Sequence, residues 1–192
     1  MSKRIKTAMI NNTLIVLTAS APALAFAHTG RETQGLVFGL LHPLLGWDHL
    51  LAMVAVGMLA VAGRERPARQ LPLGFVGFML VGALFGLAGI SVGGLEAGIV
   101  LSVVVLGLMM STGRVVRPAI GAGLCALFGL LHGNAHGLEL PASASAIGYF
   151  AGFVLATGLL HGAGWLAAGR LHATLVRIAG VVISGVGIMA AI

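Results

Sequence analysis

The sequence predicts an all-α fold, a polytopic transmembrane helix bundle of six spans behind a signal peptide, and three observations predict it. Of its 192 residues 58% are hydrophobic and only 8% charged, with a mean hydropathy of +1.06. A soluble domain carries about 25% charged residues to cover its surface, so most of this surface must face lipid. The apolar residues fall into six runs long enough to cross a hydrocarbon core about 30 Å thick. Thirty glycines suit close helix packing, and small-xxx-small spacing recurs at Gly82/Gly86, Gly129/Gly133, Gly148/Gly152 and Gly158/Gly162.

Residues 1–27 have the three parts of a secretory leader. Lys3, Arg4 and Lys6 form a basic start, an apolar stretch begins near Leu14, and Ala25-Phe26-Ala27 matches an A-x-A cleavage site. Cleavage there makes His28 the mature N-terminus and leaves 28–192 as the transmembrane domain. An uncleaved first helix is the alternative, but the stretch is short and Pro22 interrupts it.

The spans are expected at 33–62, 71–90, 95–111, 118–138, 143–168 and 174–192. The first is too long for one straight helix and contains Pro43, which has no backbone N–H, with Gly46 just after it. It is expected to be tilted or broken. Irregular backbone at membrane depth is tolerated only where protein or a cavity surrounds it.

Charge then orients the bundle. Arg64, Arg66 and Arg69 follow the first span, Arg114 and Arg117 the third, and Arg170 and Arg177 flank the last loop, whereas 91–94 and 139–142 hold no Lys or Arg. Positive loops stay cytoplasmic, so both mature termini lie outside, in a multi-pass protein of the bacterial inner (plasma) membrane. The formal charge of +6 falls to +3 without the three leader cations, and no basic face with interleaved aromatics remains, which excludes nucleic acid as a partner. The lone Cys125 sits in an apolar run and reads as a buried thiol.

The spans themselves carry ionisable residues, each costing about 2.5–3.5 kcal/mol at mid-membrane unless partnered. In the first, His42 and His49 are seven apart, hence on one helical face, with Asp48 beside them to ligate or to orient an imidazole. The fourth ends with His132, His136 and Glu139 at i, i+4, i+7. The fifth adds His161 with Thr157 one turn before it, and Glu96 opens the third at the outer surface. Imidazole plus carboxylate without thiolate suits nickel, cobalt, zinc or copper(II), and not magnesium or calcium. A single membrane histidine is usually a packing residue, which accounts for His161 or the loop residue His172 but not for two spaced clusters with Asp48. Met53 reads as core, and Trp47 and Trp165 as packing or interface residues. Gly-Leu-Leu-His occurs at 39–42, 129–132 and 158–161. The copies in the first and fourth spans suit an inverted three-plus-three repeat; the third does not fit it.

His42-Pro43-x-x-Gly46-x-Asp48-His49 with Leu-Ala-Met53, His132-Gly133-x-Ala135-His136-Gly137-x-Glu139 and Ala156-Thr157-Gly-Leu-Leu-His161 resemble the motifs of the HupE/UreJ family of nickel/cobalt permeases. The likeness extends over essentially the whole mature chain. It implies secondary uptake of Ni²⁺ or Co²⁺, serving hydrogenase, urease or cobalamin synthesis. The expected metal ligands are His42, Asp48, His49, His132 and His136, with Glu139 and His28 at the mouth and His161 deeper. The metal is cargo, so no permanently bound cofactor and no enzymatic step are expected. The partners are a divalent ion and membrane lipid, with room for a homo-oligomer. Two other readings are an intramembrane zinc-dependent hydrolase, for which Glu139 could serve as base although no H-E-x-x-H motif is present, and a non-transporting accessory bundle whose histidines pack.

Overall fold

The computed structural model describes residues 31–62, 70–113 and 117–192. The leader, His28 and the loop residues Arg64, Glu65, Arg66, Arg69 and Arg114 lie outside them. The described residues form seven helices and no strand: α1 (Arg31–Leu45), α2 (Trp47–Ala62), α3 (Leu71–Leu87), α4 (Leu95–Thr112), α5 (Pro118–Leu138), α6 (Ala146–Arg170) and α7 (Ala173–Ala190).

Three of these, α4, α6 and α7, are long and apolar enough to cross a membrane. The α1–α2 pair passes the same test together, bent by 82° at its break, and α3 is a shorter apolar helix of 17 residues. The 21 residues of α5 are long enough, but His132, Asn134 and His136 lower the hydropathy of its last turns. Outward-facing side chains are apolar almost throughout, with Leu73, Leu84, Ile147 and Val181 among the most exposed. Such a surface is stable against acyl chains and unstable against water.

Local chemistry sets the helix ends. Pro72 opens α3, where the missing N–H costs nothing. The Ser145 hydroxyl caps α6 by accepting the Gly148 N–H at 3.3 Å, and His172 caps α7 through Nδ1, which accepts the Thr174 N–H. His172 is therefore a capping residue. At the α1–α2 break Pro43 supplies no donor, the Gly46 N–H reaches the His42 carbonyl at 3.3 Å, and the Leu50 N–H takes the Gly46 carbonyl at 2.9 Å.

Glycine sets the helix pairing. A Cβ on Gly82 or Gly86 would overlap the Leu130 or Asn134 carbonyl of α5, and one on Gly129, Gly133 or Gly137 would overlap the Phe75, Met79 or Ala83 carbonyl of α3. The α3–α5 interface is thus backbone against backbone along three turns. Gly39 and Gly152 set α1 against α6 in the same way, Gly57 and Gly164 set α2 against α6, and Gly107 and Gly180 set α4 against α7. Gly158 and Gly162 face open space, so that expected packing pair makes no close contact. The dry core between these pairs contains Met53, Val56, Phe75, Met79, Val103, Leu106 and Cys125.

The two ends of the bundle differ in charge. Glu96, in the first turn of α4, and Glu139, the C-cap of α5, line one cavity. At the opposite end of α4 the Arg177 guanidinium lies against Gly113, where it meets the negative pole of the helix.

Candidate metal centre

Four imidazoles from three helices meet at the acidic end. Ring centroids are 4.7 Å apart for His42–His136, 4.4 Å for His49–His136, 4.6 Å for His49–His132 and 6.2 Å for His42–His49. His132 and His136 are wholly buried and His49 nearly so. On α5 the i, i+4 spacing aims both rings to one side, as the sequence predicts. His42 and His49 converge for a different reason from the one expected. They do not share a continuous helical face; the 82° bend at Gly46 folds α2 back so that both rings reach α5. A Cβ at Gly46 would lie 3.1 Å from both Asp48 Oδ1 and His49 Nδ1, so glycine leaves room for that pair.

Hydrogen bonds fix which nitrogens are free. Asp48 Oδ1 lies 2.6 Å from His49 Nδ1 and also accepts the His49 backbone N–H at 2.7 Å. A carboxylate there accepts a hydrogen bond from the imidazole Nδ1–H and leaves the Nε2 lone pair free. Asp48 therefore fixes the His49 ring. The Ser102 hydroxyl donates its one proton to the Ile99 carbonyl at 2.6 Å, so His132 Nε2, 2.9 Å away, must be the donor to Ser102 Oγ. That leaves Nδ1 as the free nitrogen of His132. His49 Nε2, His132 Nδ1 and both nitrogens of His136 are buried with no hydrogen-bond partner. Buried polar atoms are nearly always paired, so these unpartnered nitrogens on three adjacent histidines form a candidate donor set.

Glu139 extends the set outward. Its Oε2 is 3.0 Å from His42 Nε2, and this hydrogen bond holds the Glu139 carboxyl below its ordinary range. Donor atoms of His42, His136 and Glu139 all lie within 4.8 Å of one another. His136 thus belongs both to an outer group with a carboxylate and to an inner group made only of imidazole. A cavity of about 240 Å³ lined by His42, Asp48, His49, Glu96 and Glu139 opens beside the outer group, and a wider one of about 640 Å³ continues past Glu96 and Glu139 to the 91–94 loop.

One face of α6 closes the site. Tyr149, Phe153, Thr157 and His161 recur every fourth residue and are all buried. The Tyr149 ring lies 6.0 Å from His42 and the Phe153 ring 3.8 Å from His136. His161 is not part of the imidazole cluster. Phe75 separates them, with its ring 5.6 Å from His132 and 5.5 Å from His161. The two Gly-Leu-Leu-His copies on α1 and α5 behave alike, glycine against a neighbouring backbone and histidine in the cluster, whereas Gly158 of the third copy packs on nothing.

Several contributors went unnoticed in the sequence. Ser102 and Phe75 come from helices without a second polar residue in register, and aromatic or serine residues in an apolar run, Tyr149 and Phe153 among them, carry no signal of their own. Asn134 sits between the two α5 histidines. Its Nδ2 donates to the Ile90 carbonyl at 2.7 Å and the Gly82 carbonyl at 3.4 Å, and its Oδ1 accepts the Val92 N–H at 3.0 Å. It ties the α3–α4 loop, built on left-handed Gly89 and Gly94, to the helix that carries the ligands. Asn134→Leu is expected to destabilise the protein by about 1–3 kcal/mol by stranding those backbone groups, seen as a lower Tm in detergent. Asp48→Ala is expected to weaken Co²⁺ binding by about 10–100-fold, with partial recovery in Asp48→Asn, whose amide oxygen still accepts from Nδ1; equilibrium dialysis of the purified protein measures both.

Fold and site together define a helical membrane protein with a buried imidazole–carboxylate cluster at one end. Comparison with known sequences agrees. The chain belongs to the HupE/UreJ family, whose model, described as HupE / UreJ protein, matches residues 15–190. It is 40% identical over 182 residues to Protein HupE of Rhizobium leguminosarum bv. viciae, a match covering 91% of this chain and 93% of that relative. No solved structure matches it.

Proposed function

We propose that this protein is a secondary uptake permease for Ni²⁺ or Co²⁺ in a bacterial inner membrane, with the ion as cargo and no catalytic step. The observation that carries this reading is the convergence of unpaired imidazole nitrogens from His49, His132 and His136 inside a dry bundle. Imidazole and carboxylate without thiolate match borderline divalent ions, and the family is associated with nickel and cobalt.

In this reading α1 and α2 are one broken span and α3 to α7 are five more, six in all behind a cleaved leader. The arginine end faces the cytoplasm and the Glu96–Glu139 mouth faces out, as do both mature termini. The pairing of α3 with α5 and of α6 with α1 and α2 is the exchange an inverted repeat requires, second span on fourth and fifth on first. An ion is gathered by Glu96, Glu139 and the new N-terminal His28. It sheds water to His42, Glu139 and His136, and passes to the inner nitrogens of His49 and His132. His161, beyond Phe75, takes it onward.

Imidazole binds metal only when neutral. Protonation fills the lone pair that an imidazole offers to a metal, so binding and uptake should fall on acidification. The test is accumulation of radiolabelled Ni²⁺ and of Co²⁺ in cells expressing the chain, each competed by the other. Accumulation above the empty-vector level, suppressed by the competing ion and by acidification, is the expected result. No accumulation of either ion overturns the proposal.

A further inference from the structure

Beyond the imidazole cluster lies a second set of donors, of which the transport reading uses only His161. The Thr157 hydroxyl lies 3.4 Å from the Met53 sulfur and 3.9 Å from the Met79 sulfur. All three side chains are wholly buried. Three helices therefore deliver two thioethers and a hydroxyl to one point, Met53 from α2, Met79 from α3 and Thr157 from α6. One turn further along the same face is His161, 5% exposed, whose Nε2 has no hydrogen-bond partner.

The position of this set relative to the cluster is defined on two helices. Met53 is one turn past His49 on α2, and Thr157 is one turn past Phe153, the residue packed on His136. On α3, which runs the other way, Met79 lies one turn nearer the acidic end than Phe75, beside Gly133, and the Phe75 ring lies near both His132 and His161. Proceeding along α6 from the acidic mouth toward Arg170, the donors run from imidazole to thioether and hydroxyl, then to imidazole again. In a hydrocarbon core, packing needs no sulfur at Met53 and Met79, and a hydroxyl placed between two sulfurs is an unusual way to satisfy a buried threonine.

We infer that Met53, Met79, Thr157 and His161 form a second, soft-donor metal site, a relay through which a borderline divalent cation passes after leaving the imidazole cluster. The inference rests on the transport reading and deepens it. Thioethers are neutral and weak donors to Ni²⁺ and Co²⁺. They stabilise a dehydrated ion without holding it as a carboxylate would, and conduction needs sites that bind weakly enough to release. They cannot be protonated at physiological pH, so acidification leaves these two donors intact.

Ag⁺, a soft ion that undergoes no redox step here, is the probe. In a Cys125→Ala background, which removes the one thiol, the purified protein is titrated with Ag⁺ and separately with Co²⁺, and Ni²⁺ uptake is measured in cells. Met53→Leu/Met79→Leu keeps side-chain volume nearly constant. The expected result is loss of one equivalent of Ag⁺ and of its sulfur scattering in X-ray absorption. Co²⁺ binding should be unchanged and Ni²⁺ uptake at least about tenfold lower. Unchanged Ag⁺ stoichiometry, or uptake equal to the Cys125→Ala parent, overturns the inference. The single substitutions are read the same way, so a double variant that fails to fold leaves the test standing. If the parent itself takes up no metal, the permease reading fails, while the Ag⁺ titration still decides whether the thioethers form a site.

Discussion

His49→Ala and His132→Ala are each expected to cut Ni²⁺ and Co²⁺ uptake by about 100-fold or more while the protein still reaches the membrane. The estimate starts from the cost of disturbing residues that only orient a ligand, about 10–100-fold; removing the ligand itself costs more. Each substitution deletes one buried nitrogen that has no protein partner to lose and one that has. His49 also frees Asp48, whose Oδ1 then lacks its imidazole donor, and His132 frees Ser102. Metal accumulation normalised to membrane-inserted protein measures the effect. Full uptake by either variant would remove that nitrogen from the ion's path.

Gly133→Val is expected to be the most disruptive single change outside the ligands. Gly133 sits between His132 and the Asn134 clamp, and a Cβ there would run into the Met79 carbonyl oxygen and backbone of α3. No side chain can yield, because the obstacle is main chain, so α3 and α5 must separate. Overpacking a close-packed interface costs typically about 1–3 kcal/mol, and a rigid backbone neighbour argues for the upper end. The separation would also withdraw His132 from Ser102 and disturb the contact of Phe75 with His132. Loss of Co²⁺ binding together with a lower Tm in detergent is the expected outcome. The same substitution at Gly158, which meets nothing within 4 Å, should leave both unchanged.

The contrast between those glycines indicates what the sequence could and could not convey. Helix positions were readable because hydropathy and charge must alternate along any chain that meets lipid and water in turn. The convergence of His132 and His136 was readable because i, i+4 spacing fixes a common face whatever surrounds it. The first pair was readable in identity but not in geometry. Seven-residue spacing suggests one straight helix, whereas Pro43 and Gly46 break it and bring His42 and His49 together through a bend. Asp48 could be assigned as ligand or orienter from sequence, and the structure places its Oδ1 2.6 Å from His49 Nδ1. Phe75, Ser102 and the α6 aromatics could not be found, since their role depends on which helices lie side by side. That pairing is set by glycines whose partners are backbone atoms, and backbone atoms leave no trace in residue types. Small-xxx-small spacing points to close approach somewhere, yet the pairs at 82/86 and 158/162 look alike in sequence and have opposite surroundings in the fold.

Transport by this route requires that imidazoles of α2 and α5 bind the same ion. X-ray absorption at the metal edge of purified protein loaded with one equivalent of Ni²⁺ tests it most directly. The predicted spectrum has a nitrogen/oxygen first shell with outer-shell scattering from at least two imidazoles, lost in part in His49→Ala and in part in His132→Ala. An imidazole signal that survives both substitutions intact would contradict the claim, as would a shell built from oxygen alone.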